Sequence, residues 1–128
     1  MAFVSVIIPS YNRKSVLERA INSVLSQTFT DYELIVVDDG SDDGTCDLEI
    51  IKSEKVKFYR FQVNCGVSRA RNFGVSNSAG KWVAFLDSDD EWMPQKLEKQ
   101  LWWIKNNPEY RIVQTNETWI RNGKKVNQ

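Results

Sequence analysis

Short apolar runs alternate with amphipathic stretches along the chain as far as Lys105. Runs rich in β-branched and aromatic residues predict buried strands at residues 4–9, 33–37, 56–61 and 82–86. Apolar residues that recur at three- and four-residue steps predict helices at residues 14–27, 67–78 and 94–105. Between these elements, turn residues predict a loop at 40–44, a short helix that extends to Ser53, and a left-handed stop at Ala79-Gly80.

The pattern changes after Pro108. Residues 110–115 and 117–121 have the composition of strands, and Asn122-Gly123 predicts a hairpin turn into residues 124–126. Before that change, strand and helix alternate, which predicts an α/β fold with a mostly parallel sheet flanked by helices on both faces. No repeat or linker divides the chain, so we expect a single domain over residues 1–128.

Polar side chains follow three of the predicted strands at the points where those strands end. Residues 10–12 (Ser-Tyr-Asn) follow the first strand, Asp38-Asp39 the second, and Asp87-Ser88-Asp89 the fourth. In open parallel sheets, ligands bind outside the carboxyl ends of the strands. We therefore expect these three groups to converge on one ligand site.

Asp87, Asp89 and Asp90 place three carboxylates directly after a buried strand. A hard divalent cation relieves the repulsion among such groups, and Mg²⁺ or Mn²⁺ prefers oxygen ligands. A metal held by one or two protein carboxylates keeps coordination positions open for substrate phosphates. The cluster therefore predicts phosphate chemistry at this end of the sheet.

Composition narrows the classes of partner. Seventeen Lys and Arg residues balance seventeen Asp and Glu residues, so no net charge favours nucleic acid or an anionic membrane. The chain contains no His, which argues against a zinc site, and the isolated Cys46 and Cys65 are expected to be reduced thiols. No apolar run reaches membrane-spanning length and no signal peptide precedes the first strand, so we expect a cytoplasmic, soluble domain.

Several candidate residues admit more than one interpretation. Tyr11 fits either a core aromatic or a ring that stacks on a base. Asp39 fits either a turn or an acceptor for a ring N–H or ribose hydroxyl of a nucleotide. Arg69 and Arg71 lie near a predicted helix N-terminus, where anions are favoured, and because they point in different directions we choose Arg71 as the diphosphate ligand. Trp92 follows the acidic cluster and is a candidate wall of a sugar pocket.

Five stretches match a known family in order and spacing: VSVIIPSYN at 4–12, SQTF at 26–29, ELIVVDDGS at 33–41, NCGVSRARN at 64–72 and FLDSDD at 85–90. With them the chain resembles the amino-terminal, nucleotide-sugar-binding portion of a family 2 glycosyltransferase. The resemblance extends to about Pro108. It implies a Rossmann-like GT-A domain that binds a nucleotide-diphospho-sugar, most often a UDP-sugar, together with Mn²⁺ or Mg²⁺.

The resemblance also assigns roles by position. Pro9 and Tyr11 would hold the base through backbone contact and stacking, and Asp39 would bond the edge of its ring. Asp87 would face the ribose or the water shell of the metal, and Asp89, the second aspartate of the DxD motif, would bind the metal that bridges the diphosphate. Such a cation would stabilise the diphosphate leaving group as a Lewis acid. Two residues complete the nucleotide-binding set: Asp38 and Arg71.

Inverting members of the family are expected to carry a general base, an acidic residue, well downstream of the DxD motif, together with the acceptor-binding surface. None of the acidic residues after Asp90 stands in that context: Glu91, Glu98, Glu109 and Glu117. We therefore identify no catalytic residue in this chain. We expect a donor-binding portion truncated at its C-terminus, with an α/β core to about residue 108 and an incomplete acceptor-side portion over 109–128.

The leading interpretation is an inverting glycosyltransferase that uses a UDP-sugar and a saccharide or lipid-linked acceptor. Two alternatives stay open: a non-catalytic nucleotide-sugar-binding module, and a receiver-type phosphoacceptor domain. A receiver needs an acidic pair at the end of its first strand, where this chain has Pro9-Ser10-Tyr11. We expect no nucleic-acid partner, and we leave open a homodimer and peripheral association of the full protein with the inner face of the membrane.

Overall fold

The computed structural model describes residues 2–107, 112–114 and 118–121. Their helices and strands, in chain order, are β1 (Val4–Ser10), α1 (Lys14–Leu25), β2 (Tyr32–Asp38), β3 (Val56–Arg60), α2 (Val67–Ser76), β4 (Trp82–Phe85), α3 (Lys96–Lys105), β5 (Ile112–Gln114) and β6 (Thr118–Arg121). The connection between β2 and β3 contains two short 3₁₀ helices, Thr45–Asp47 and Glu49–Lys52.

The strands form one sheet in the order β3-β2-β1-β4-β6-β5. The first four in this order run parallel, whereas β6 is antiparallel to both β4 and β5. This arrangement confirms the predicted α/β fold. In receiver domains, β1 lies between β2 and β3. Here β1 lies between β2 and β4, so the receiver alternative is wrong.

Helices cover both faces of the sheet because side chains alternate between its faces along each strand. On one face, the apolar sides of α1 and α3 pack on the even-numbered positions of β1 in the larger of two cores. On the other face, α2 contributes Ala70 to a smaller core with Ile7, Ile35, Val37 and Val83. None of the helices within the described ranges is long and apolar enough to cross a membrane.

The predicted left-handed stop at Ala79-Gly80 is wrong. Helix α2 ends at Ser76, and Gly80 does not have a positive φ. Its glycine is explained by packing, because a Cβ at this position would lie 2.6 Å from the backbone nitrogen of Ser5. This segment can therefore approach β1 so closely only because Gly80 has no side chain.

Two other predictions need adjustment. The single short helix expected before Ser53 is instead a pair of 3₁₀ helices, because Leu48 between them has an extended backbone. The two strands expected after Pro108 are present as β5 and β6, and they pair with each other. The hairpin expected at Asn122-Gly123 lies outside the described residues.

Candidate functional site

An open cleft of about 470 Å³ lies at the carboxyl ends of β1, β2 and β4. All three polar strand ends line it, as does the segment that leads into α2. The lining residues used below are Pro9, Tyr11, Asp39, Asn64, Asp87 and Asp89. The predicted convergence of the strand ends is therefore confirmed.

The end of β1 supplies one wall of the cleft. Tyr11 is 44% exposed there, which rules out its interpretation as a core aromatic. Beside it, the Ser10 hydroxyl is buried without a hydrogen-bond partner among the described residues. This wall therefore offers an accessible aromatic ring and an unpaired polar atom.

The loop after β1 is tied to the loop after β2. Asn12, which has a φ of 52°, donates its N–H to Ser41 Oγ at 2.8 Å and accepts the N–H of Asp42 at 3.0 Å. The first N–H of α1, from Lys14, is accepted by the carboxylate of Asp43 at 3.0 Å. Partial burial raises the pKa of Asp43, but hydrogen bonds from Thr45 and Lys14 outweigh it and hold that pKa below its ordinary value.

The carboxylate of Asp39 is buried and is held by the segment that precedes α2. Asn64 Nδ2 and the N–H of Gly66 donate to Oδ2 at 2.9 Å each, and the N–H of Cys65 donates to Oδ1 at 2.6 Å. Asn64 Nδ2 also lies 3.3 Å from the backbone oxygen of Asp39. We did not single out Asn64 from the sequence, although it begins the matched stretch 64–72.

Asp38 has different surroundings, although it is next to Asp39 in the chain. Its side chain is fully buried and accepts hydrogen bonds from the N–H and the hydroxyl of Ser41. Arg60 Nε lies 3.5 Å from the same carboxylate. Asp38 is not among the described residues that line the cleft. It stabilises the turn after β2, and its assignment to the nucleotide stays a prediction.

Arg71 and Asp87 contact each other. Arg71 Nη2 donates to Asp87 Oδ1 at 3.1 Å, and the guanidinium lies 5.8 Å from the centroid of the Phe85 ring. Asp87 lines the cleft, whereas Arg71 reaches it through this ion pair. The structure therefore brings these two predicted site residues together at one end of the cleft.

The acidic turn after β4 is bonded to α1 through the side chain of Arg19. Arg19 Nη2 donates to the backbone oxygen of Asp89 at 3.0 Å, and Arg19 Nε pairs with Glu91 at 3.3 Å. The described residues contain no group of three His, Cys, Asp or Glu side chains placed to hold a metal. What the cleft offers a cation is therefore two exposed carboxylates, from Asp87 and Asp89.

Other expectations can now be placed. Trp92 lies in the larger core, is 6% exposed and is not among the described residues that line the cleft, so it does not form a wall of this cleft. The carboxylate of Glu98 accepts the Thr28 hydroxyl at 2.7 Å, while Glu109 and Glu117 lie outside the described residues. Cys46 and Cys65 are free thiols, as predicted.

Comparison with known proteins relates the chain to one family. The family described as Glycosyl transferase family 2 matches residues 5–125. WfgD of Escherichia coli, a UDP-Glc:alpha-D-GlcNAc-diphosphoundecaprenol beta-1,3-glucosyltransferase, is 38% identical over 120 residues, which cover 88% of this chain and 47% of WfgD. An uncharacterized glycosyltransferase of Rickettsia conorii is 43% identical over 106 residues, 81% of this chain and 17% of that protein.

Among solved structures, S. aureus TarS 1–349 in complex with UDP-GlcNAc is similar, with a TM-score of 0.76 and 31% sequence identity. The match covers 83% of this chain and 32% of the TarS chain. The chain thus spans less than half the length of each of these three proteins.

Proposed function

The chain belongs to glycosyl transferase family 2, and on that premise we propose that its cleft binds a UDP-sugar for inverting transfer to a saccharide or lipid-linked acceptor. The observation that carries the proposal is the convergence of Tyr11, Asp39 and the Asp87–Asp89 pair on one cleft at the carboxyl ends of parallel strands. The GT-A fold, shared with TarS, supports it.

The base would lie between Tyr11 and Asp39. The exposed ring of Tyr11 provides a surface for stacking, and the buried carboxylate of Asp39 can accept a hydrogen bond from a ring N–H. Uracil carries such a donor at N3. The UDP-GlcNAc bound by TarS and the UDP-Glc in the name of WfgD support a uridine nucleotide.

The diphosphate and a divalent metal would lie at the other end of the cleft. Asp87 and Asp89 fit Mn²⁺ or Mg²⁺ because both carboxylates are exposed on the cleft and offer only oxygen ligands. When bound, such a cation stabilises charge on the leaving diphosphate. Arg71, held beside Asp87, adds a positive charge to the same end.

The transfer step needs a general base, and we propose that it lies in the rest of a longer protein together with the acceptor-binding surface. The diphosphoundecaprenol acceptor in the name of WfgD supports a lipid-linked acceptor, and with it a location at the inner face of the membrane. The free thiols fit a cytoplasmic protein.

Calorimetric titration with UDP, with and without Mn²⁺, tests the proposal. We expect binding that Mn²⁺ strengthens, and we expect Asp89→Ala to abolish that strengthening by removing an oxygen ligand. Asp31→Ala is the matched control, because Asp31 is an exposed carboxylate just before β2. It therefore lies at the amino ends of the parallel strands, opposite the cleft. Absence of UDP binding, or binding indifferent to both Mn²⁺ and Asp89→Ala, would refute the donor site.

The alternative of a non-catalytic binding module is separated by a second assay. Release of free sugar from UDP-Glc or UDP-GlcNAc, measured without an acceptor, identifies an active donor site. If a protein extended to the full length of its relatives binds the UDP-sugar but releases no free sugar, the result would favour the non-catalytic module.

A further inference from the structure

We propose that Asn64 is a positioning residue for recognition of the base: it holds the Asp39 carboxylate so that one acceptor position, on Oδ1, remains for a ring N–H of the nucleotide. The inference rests on the proposed function and deepens it. It assigns a role to a side chain that lines the cleft and contacts Asp39 directly.

The hydrogen-bond partners of Asp39 occupy most of the acceptor positions of its carboxylate. An ionised carboxylate has about four lone-pair positions, two on each oxygen. On Oδ2, both are taken by Asn64 Nδ2 and the N–H of Gly66, and on Oδ1 one is taken by the N–H of Cys65. The remaining position belongs to Oδ1, and at 3% exposure the residue leaves little room for water to use it.

An acceptor fixed in this way selects among bases. The N3 atom of uracil carries a hydrogen and donates to it. The N3 atom of cytosine has a lone pair instead, which faces the carboxylate without a shared proton, and the N4 amine beside it is displaced from the position that the N3 hydrogen of uracil occupies. Sites that hold a buried polar group discriminate strongly against a ligand lacking its partner. We therefore expect this cleft to prefer UDP over CDP.

Removing the Asn64 side chain should loosen the carboxylate without displacing the loop. A Cβ at Gly40 would lie 2.7 Å from the carbonyl carbon of Val63 and 2.8 Å from the nitrogen of Asn64, so this backbone packs directly against the turn after β2. The two backbone donors to Asp39 also remain. Asn64→Ala thus removes the amide that fixes the orientation of Oδ2 and keeps the path of the chain.

Asn64→Asp gives a sharper probe because it sets a second carboxylate at the 2.9 Å position of the amide. Two carboxylates at such a distance retain one proton between them to a higher pH than either does alone. At low pH the shared proton replaces the amide hydrogen bond, and at higher pH repulsion turns Asp39 away. The other charged or titratable groups around the pair are Tyr11, Arg13, Asp38, Arg60, Cys65, Asp87 and Asp89.

The test is calorimetric titration of the full chain with UDP and with CDP in the presence of Mn²⁺, from pH 5 to pH 8. For Asn64→Ala we expect about tenfold weaker UDP binding, the equivalent of about 1.4 kcal/mol, and a smaller loss for CDP, so that the preference for UDP falls. For Asn64→Asp we expect UDP affinity near that of the wild type at the acid end and a progressive loss as the pH rises. Asn22→Asp, an exposed substitution on α1, is the control and should follow the wild type.

A UDP-to-CDP ratio unchanged in Asn64→Ala, or a loss in Asn64→Asp that is equal at every pH, overturns the proposal. A nucleotide-free measurement separates it from the proposed function. We expect Asn64→Ala to shift the carboxyl carbon resonance of Asp39 while the N–H groups of Cys65 and Gly66 stay protected from exchange. If the wild type binds no UDP, the proposed function fails. The Asp39 resonance still tests whether Asn64 positions the carboxylate, and a resonance unchanged in Asn64→Ala refutes that role.

Discussion

Glu33 joins three separate segments through one carboxylate. It accepts hydrogen bonds from the Ser5 hydroxyl at 2.5 Å, the Lys57 ammonium at 2.7 Å and the N–H of Ala79 at 2.6 Å. Burial by itself raises the pKa of Glu33, but these donors outweigh it and hold that pKa below its ordinary value. The ionised side chain therefore links the starts of β1, β2 and β3 with the segment before β4.

This linkage predicts a pH-dependent effect of Glu33→Gln. Near neutral pH we expect the variant to lose about 1–3 kcal/mol of unfolding free energy, because three donors lose an ionised acceptor whose side chain is only 9% exposed. Because folding lowers the pKa of Glu33, the ionised side chain stabilises the protein fully at pH values above 4.5, its ordinary pKa. This contribution is lost as the pH falls through the lowered pKa. Urea titrations should show wild type and variant converging below pH 4.5.

Lys57→Met is the control for Glu33→Gln. The Lys57 side chain is 55% exposed, so its ion pair with Glu33 should contribute less than about 1 kcal/mol. A difference between wild type and Glu33→Gln that stayed constant with pH would contradict the explanation.

The first turn of helix α3 is capped by a side chain from the segment that follows α1. Its N-cap, Gln95, makes no side-chain capping bond. Instead, the buried amide of Gln27 accepts the N–H of Leu97 at 2.9 Å and donates to the backbone oxygens of Met93 at 2.7 Å and Ser23 at 3.0 Å. One side chain beyond the end of α1 thus supplies the cap that α3 lacks.

We expect Gln27→Ala to lower the unfolding free energy by about 2–3 kcal/mol, because it leaves buried donors and acceptors unpaired. Gln27→Glu keeps the acceptor for Leu97 but sets a charge against two carbonyl oxygens, so its stability should recover as the pH falls and the side chain gains a proton. Urea unfolding and amide exchange at Leu97 measure both effects. Gln95→Ala should change neither, and an equal loss in that exposed control would refute the role of Gln27.

Ile7 and Ile8 are adjacent in β1 and fully buried, yet they belong to different cores. Truncation to Ala costs about 2–5 kcal/mol in such positions, and less where neighbours can settle into the cavity. We expect Ile8→Ala, beneath α1 and α3, to fall near the top of that range, and Ile7→Ala, beneath α2 alone, near the bottom.

Because both cores share one sheet, each of these truncations should shift the same cooperative transition. Tryptophan fluorescence, to which the buried Trp82 and Trp92 of the larger core contribute, and far-ultraviolet circular dichroism should therefore report coincident unfolding curves. A separate early transition in Ile7→Ala by circular dichroism, with the tryptophan fluorescence unchanged, would show instead that the two faces unfold independently.

Much of the molecule could be predicted because its strands are continuous apolar runs. A parallel sheet brings the carboxyl ends of such strands to one edge, which is why Tyr11, Asp39 and Asp87 could be expected together. The contacts of Asn64 with Asp39, and of Gln27 with Leu97, could not be predicted in this way. They join residues far apart in sequence, and the pattern of apolar residues says nothing about which polar groups will meet.

Gly40 has a practical consequence for experiments on the proposed base site. Its backbone lies against Val63 and Asn64 too closely for any side chain, and it adopts a positive φ of 77°. The turn after β2 and the segment before α2 therefore form a single interlocked part, assembled from two distant stretches of sequence. A library that varies Asp39 alone leaves the partners of its carboxylate unmatched, so a graft intended to alter the proposed base site should transplant residues 38–41 and 63–66 together.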